Sequence, residues 1–309
     1  MTIARILTTD LAGLRNQALG LAEAAGFTPD PRVIAPRKPW SWLPARLWPD
    51  PLTAINSAAL APPGDVLIGC GGVSARVLAA LRRPGLPAVI IQHPRMDAAR
   101  FDLVVAARHD DITGPNVIVT RTALHRVSPA RLAAERSRWA PIFAHLPRPL
   151  AAVLIGGSNG RYRLDARAAE RLAGQLAEMM RRDRAGLMLT PSRRTDPAAL
   201  SILRRGLEPL GAYFWDMSGE NPYFGMLALA DAIVVTADSV SMVSEAAATA
   251  APVLLARLPG RSGRIGGFME ALAAEGRVRD FAGRLDLWPV QPVNDTQEAA
   301  DEMRRRLGL

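Results

Sequence analysis

Short apolar runs alternate with amphipathic stretches along the whole chain. In the first half, the runs Ala4–Thr8, Asp65–Cys70, Ala88–Gln92, Asp102–Ala106 and Asn116–Thr120 have strand length, and Asn16–Ala25 before Gly26 reads as a helix. Leu124–Ala140 also reads as a helix and is followed by Pro141–Pro149, which carries three prolines. The pattern restarts at Leu150–Ile155, with further strands at Gly186–Thr190, Ala212–Trp215, Ala232–Thr236 and Val253–Ala256. Leu164, Ala168, Leu172, Leu176 and Met180 recur every four residues, the spacing of one helix face. Helices are also expected at Pro197–Arg205, Ser239–Ala250, Gly267–Glu275 and Thr296–Leu307. Strands alternating with helices predict parallel α/β units. The expected architecture is two Rossmann-like domains, 1–145 and 146–309, with the last helix packing back on the first.

The stretch Pro36–Pro51 breaks this pattern. Trp40, Trp42, Trp48 and several prolines make a regular helix impossible there and predict a structured loop.

Composition narrows the classes. Of 309 residues, 49% are hydrophobic and 22% charged, which suits a large buried core and argues against disorder. Cys70 is the only cysteine, so neither a disulfide framework nor a multi-thiolate metal site can form, and a reducing compartment is the simple expectation. No apolar run reaches the roughly 20 residues of a membrane span. Met1–Asp10 has no basic region leading into a long apolar one, so no signal peptide is expected. Lys+Arg outnumber Asp+Glu by 38 to 29, giving +9, and Lys38 is the only lysine. That excess suits phosphate-bearing molecules or anionic lipid. With aromatics at 5%, a base-stacking surface is poorly supplied, and no nucleic-acid partner is expected.

Three loops in the second half carry anion chemistry. Gly156, Gly157, Ser158 and Asn159 follow a strand and precede a helix, where close backbone approach and free N–H groups suit a phosphate. The bland alternative is a tight turn that binds nothing; Gly-Lys-Ser/Thr of a P-loop is absent. Ser192, Arg193, Arg194 and Thr195 follow the next strand, again either as a phosphate clamp or as a solvated basic loop. Asn221 and Tyr223 lead towards Thr236, Asp238, Ser239, Ser241, Met242 and Glu245, where a strand enters a hydroxyl-rich helix start. Asp238, Ser239 or Ser241 can cap that helix, and Glu245 is then free to accept hydrogen bonds from sugar hydroxyls. In the first half, Gly69–Ser74 half-resembles a dinucleotide fingerprint. It has Ser74 at its last position and no acidic residue at the next strand end, so a nicotinamide or flavin is not expected. Asp10, His93, His109 and Asp110 fall near strand ends as candidate general bases, each equally a turn or cap residue. No histidine pair has metal-ligand spacing, and no Asp-X-Asp motif is present.

Several of these segments resemble the mitochondrial-fission "elongated mitochondria" family, which has plant and bacterial members. They include Gly13–Ala22, Phe101–Val105, Ile155–Asn159, Ser192–Thr195, Asn221–Tyr223 and, most specifically, Thr236–Ala246. The loop Asp10–Leu14 departs from the family's Gly-His pattern. The second half of that family is similar to glycosyltransferases of the GT-B fold, whose two domains face a cleft. The resemblance implies that Gly156, Gly157, Ser158 and Asn159 touch a diphosphate and that Arg193 and Arg194 neutralise it. It also implies that Ser239, Ser241 and the helix start bind phosphate, and that Glu245 binds ribose. The implied function is a metal-independent glycosyltransferase with a nucleoside-diphosphate sugar as substrate and no resident cofactor. Its acceptor would belong to the cell envelope, and its site of action would be cytoplasmic, peripheral on the inner membrane. The other implied role is a non-enzymatic membrane scaffold related to fission recruitment factors.

Overall fold

The computed structural model describes residues 1–60 and 64–309. Its strands form where β-branched and leucine runs are covered on both faces, as parallel sheets require. In the first unit these are β1 (Ile3–Thr8), β2 (Thr28–Val33), β3 (Val66–Cys70), β4 (Ala88–Ile91), β5 (Leu103–Ala107) and β6 (Val117–Thr120). They pair in parallel in the order β2-β1-β3-β4-β5-β6. Helices α1 (Ala12–Ala24) and α2 (Gly72–Leu81) connect them. The strand β2 was not anticipated, because Thr28–Val33 contains two prolines. It sits at the sheet edge, where a missing N–H is tolerated.

The second unit holds β7 (Leu150–Ile155), β8 (Gly186–Pro191), β9 (Tyr213–Phe214), β10 (Ala232–Thr236), β11 (Val253–Ala256) and β12 (Val278–Asp280). Its strand order is β12-β11-β10-β7-β8-β9, again parallel throughout. Its helices are α3 (Pro129–Phe143), α4 (Ala166–Asp183), α5 (Pro197–Leu207), α6 (Tyr223–Leu229), α7 (Val240–Ala247) and α8 (Gly263–Ala274). The chain closes with α9 (Asp295–Leu307). Thus the α/β class with two Rossmann-like sheets is the observed one.

The units divide after Arg126 and after Val293, so Asn294–Leu309 belongs with the first. Helix α3 packs on α6 inside the second unit. It starts at Pro129 behind the Ser128 cap, later than the apolar pattern suggests, and runs through Pro141 to Phe143. The proline-rich stretch therefore lies inside the second unit. Pro141 forfeits the bond an N–H there would give the Ser137 carbonyl, and the helix ends two residues later at Phe143.

Helix α9 is held to the first unit by a buried carboxylate. Asp295 accepts from the backbone N–H of Thr122 at 2.9 Å and from the Arg121 guanidinium at 2.6 Å. Ala299, Ala300 and Met303 complete the core around Ala18, Leu21 and Ala22.

A buried guanidinium secures the other end of the site helix α7. Arg277 donates to the carbonyls of Ala246, Ala247, Thr249 and Ala251 at 2.8–3.1 Å. Two of these carbonyls end α7 and two lie in the turn that follows it, so one guanidinium binds the helix terminus to its exit loop. Burial lowers the Arg277 pKa to about 10, a desolvation that the four carbonyls oppose. We expect Arg277→Met to strip a buried donor from these carbonyls, leaving those of Thr249 and Ala251 without it, and to lower stability by about 2–4 kcal/mol, read by urea unfolding of the whole chain.

Candidate functional site

The strand order of the second unit reverses between β7 and β10. Loops leaving the carboxyl ends of the strands splay apart at such a point, which is where open parallel sheets bind ligands. The loops after β7, β8 and β10 meet here through hydrogen bonds. The Gly156 N–H donates to the Thr236 hydroxyl at 2.7 Å. Thr195 donates to the Gly156 carbonyl at 2.7 Å, and the Ser192 hydroxyl donates to the same oxygen. Arg194 Nη2 donates to Asp238 Oδ2 at 2.9 Å. Gly156, Ser192, Arg194, Thr195, Thr236 and Asp238 are therefore one connected network.

Both glycines have intramolecular reasons to be glycine. A Cβ on Gly156 would run into the Asp238 carboxylate. Gly157 has φ +145°, and a Cβ there would strike the Arg194 carbonyl. The Asp238 side chain is fully buried. Burial pushes its carboxyl above the usual range, against the opposing pull of the Thr236 hydroxyl and the Arg194 guanidinium.

The glycine turn does not run directly into a helix, contrary to the sequence reading. Helix α4 starts only at Ala166, and its first turn is capped by Asp165, which accepts from the Ala168 N–H at 2.8 Å. Leu164 precedes the helix and is buried. The side chains of Ser158 and Asn159 build the intervening loop. Ser158 Oγ accepts from the Leu164 N–H at 3.0 Å. Asn159 Oδ1 accepts from Arg161 and Tyr162 at 2.9 and 3.0 Å. A braced loop, 158–165, thus separates the glycine turn from the α4 start along the chain.

The helix start near the network is α7. Of the three capping candidates, Ser239 takes the role, accepting from the Met242 N–H at 3.4 Å. Ser241 is half-buried in the first turn, and Met242 packs partly against the core. Glu245 is buried and accepts a hydrogen bond from the Tyr223 hydroxyl. Burial, with the adjacent Glu245 charge adding to it, pushes the Tyr223 phenol well above its ordinary pKa. That pair ties the start of α6 to α7. Asn221 sets up the same start, its Oδ1 accepting from the Tyr223 N–H at 3.0 Å. Arg193 and Arg194 are both exposed, but only Arg194 is ion-paired; Arg193 has no ion pair among the described residues.

The first-unit candidates follow strand carboxyl ends of the other sheet. Asp10 follows β1, is exposed, and lies 3.9 Å from Arg15. His93 follows β4, and its Nδ1 accepts from the Arg95 N–H at 3.0 Å, a turn role. His109 and Asp110 follow β5 in a short helical turn and are half-buried. At the dinucleotide-like stretch, Ser74 is fully buried and donates to the Cys70 carbonyl at 2.9 Å. A Cβ on Gly69 would crowd Ser74 and Leu78, so this stretch serves the packing of α2 on β3. Among the described residues, no cluster of three or more His, Cys, Asp or Glu is suited to a metal ion.

A family model for mitochondrial fission ELM1 matches residues 12–307, nearly the whole chain. The chain belongs to the mitochondrial fission ELM1 family. It is 34% identical over 272 residues to "Mitochondrial fission protein ELM1" of Arabidopsis thaliana, a match covering 78% of this chain and 64% of the relative. The ELM1-family chain thus spans less than two thirds of that relative's length. Among solved structures it resembles UDP-GlcNAc 2-epimerase from Neisseria meningitidis bound to UDP-GlcNAc, with TM-score 0.56, 11% identity and coverage of 99% and 100% of the two chains. It also resembles MurG of Acinetobacter baumannii, with TM-score 0.51, 16% identity and coverage of 99% and 90%. At such identities the likeness concerns the fold, and the fold is that of GT-B proteins.

Two substitutions test the local geometry of this ELM1-family site. Tyr223→Phe removes a donor from a buried carboxylate and should cost about 1–3 kcal/mol in urea unfolding. Gly157→Ala should cost about 2–4 kcal/mol by strain and by displacing the Arg194 carbonyl. A neutral result for the latter would mean that the two loops can part freely.

Proposed function

We propose that this protein is a metal-independent glycosyltransferase that takes its sugar from a nucleoside diphosphate. The observation that carries the reading is the meeting of three polar loops where the parallel sheet reverses its order. In this reading the diphosphate lies against the backbone of Gly157, Ser158 and Asn159. Arg193 and Arg194 neutralise it, and the α7 start with Ser239 and Ser241 adds N–H and hydroxyl donors. These groups stabilise charge as it builds on the departing diphosphate, the task a metal performs elsewhere. Glu245 is committed to Tyr223, so its part is to hold α6 and α7 in register beside the nucleoside rather than to reach for it alone.

We place the protein on the cytoplasmic face of the inner membrane, as a peripheral protein acting on an envelope acceptor. The net charge of +9 favours an anionic surface. No helix among the described residues is long and apolar enough to cross a membrane.

One observation favours a second reading, a non-enzymatic scaffold. Arg194 is already paired within the fold to Asp238. Thermal unfolding against UDP, GDP, ADP and CMP separates the two. A ligand at about 100 times its dissociation constant should add about 2.7 kcal/mol of stability. Arg193→Ala and Arg194→Ala should each weaken that ligand at least about tenfold, or about 1.4 kcal/mol. No shift with any nucleotide would overturn the transferase reading and leave the scaffold.

A further inference from the structure

We propose that the segment Arg37–Trp48 is the element with which the first unit docks on an anionic bilayer, a proposal that rests on the peripheral-membrane reading above. Trp42, Leu43 and Leu47 enter the interfacial region, while Arg37, Lys38 and Arg46 meet the lipid headgroups.

The segment is built, not slack. Trp48 is buried, and its indole N–H is shared between the carbonyls of Trp40 at 3.1 Å and Leu43 at 3.3 Å. Trp40, Ala45 and Leu52 pack against the core beneath. Arg37 is tied back through its N–H to the Ala54 carbonyl and through Nη2 to the Thr53 carbonyl, each at 2.7–2.8 Å. With these anchors in place, Trp42 is 73% exposed, Leu47 57% and Leu43 42%. Three large apolar side chains within six residues, held outwards by a fixed turn, have no role in the core. Such exposure marks an interaction surface.

Charge selects the occupant. Between Asp30 and Asp50 there are four cations and no carboxylate; Arg32 is paired with Asp30, which leaves Arg37, Lys38 and Arg46 without a carboxylate partner among the described residues. The Lys38 ammonium, from the chain's only lysine, lies 5.8 Å from the Trp42 ring centroid. An indole with a cation against its ring and further cations alongside fits the bilayer interface, where aromatic rings sit at headgroup depth and long cationic side chains reach the phosphates. Apolar insertion plus a basic cluster supplies the two signals that stable but reversible anchoring needs.

The test uses the whole chain and co-sedimentation with phosphatidylcholine vesicles, with and without about 30% phosphatidylglycerol. Binding should require the anionic lipid and weaken several-fold between about 0.1 and 0.5 M salt. Trp42→Ser with Leu43→Ser and Leu47→Ser should lower vesicle affinity at least about tenfold, with the melting temperature kept because these side chains are exposed. Trp42→Ser alone is the fallback should the triple variant fold poorly. Lys38→Gln with Arg46→Gln should flatten the salt dependence. Variants that bind vesicles like the parent would overturn this segment as the docking element while leaving the membrane reading in place. A parent chain that ignores vesicles would overturn both. A parent chain that ignores vesicles yet self-associates, with the triple variant monomeric, would assign the strip to a second copy of this chain and overturn the proposal.

Discussion

The Asp238 carboxylate occupies the space a side chain on Gly156 would need, and the geometry of three loops follows from that contact. With Gly156 bare, the β7 end can approach β10 closely enough for its N–H to reach the Thr236 hydroxyl. Its carbonyl then faces the other way and takes the hydroxyls of Ser192 and Thr195 from the loop after β8. Arg194 closes the ring onto Asp238. Helix α7 begins one residue later, at the Ser239 cap, and is held at its far end by Arg277. A buried carboxylate of this kind is costly unless paired, so each member of the ring depends on the others.

This chain's arginine excess has a structural share that net charge alone hides. Arg5 is buried and pairs with Asp30 across the β1–β2 register. Arg121 clamps the α9 start, Arg126 pairs with Glu23, and Arg277 caps α7. A guanidinium carries five donors in one plane, which a lysine cannot replace at a four-carbonyl or bidentate site. Arginine therefore holds elements together inside both units, whereas in the Trp42 strip Arg37, Lys38 and Arg46 are exposed and have no carboxylate partner among the described residues.

The fold was legible where burial dictates sequence. Runs such as Leu150–Ile155 and Ala232–Thr236 lie in parallel sheets covered on both faces, and their apolar character leaves little choice of structure. The edge strand β2 was not, because its residues answer to pairing with β1 rather than to burial. Within the site, the hydroxyl-rich loops were recognisable as polar clusters at strand ends. Their internal bonding was not, since the same serine reads equally as a cap, a loop brace or a ligand donor until its partner is known. Ser158 turned out to brace its own loop, and Ser239 to cap α7. Arg277 carried no signal at all among 38 lysines and arginines.

In the transferase reading proposed above, the Arg194–Asp238 pair matters in a way that counting free cations misses. Asp238 accepts one hydrogen bond from a guanidinium with five donors, so most of the fork's capacity is not spent on it. Anchoring the side chain also removes rotamer freedom before any ligand arrives, which is a cost that binding would otherwise carry. Charge conflict is the remaining objection, since a diphosphate brought to Arg194 would approach a carboxylate. Burial already pushes the Asp238 carboxyl towards its neutral form. In the transferase reading a nearby diphosphate would act on it in the same direction. In that reading the ring would receive negative charge on a braced backbone, and Arg193, exposed next to Arg194 and without an ion pair among the described residues, would supply a second cation.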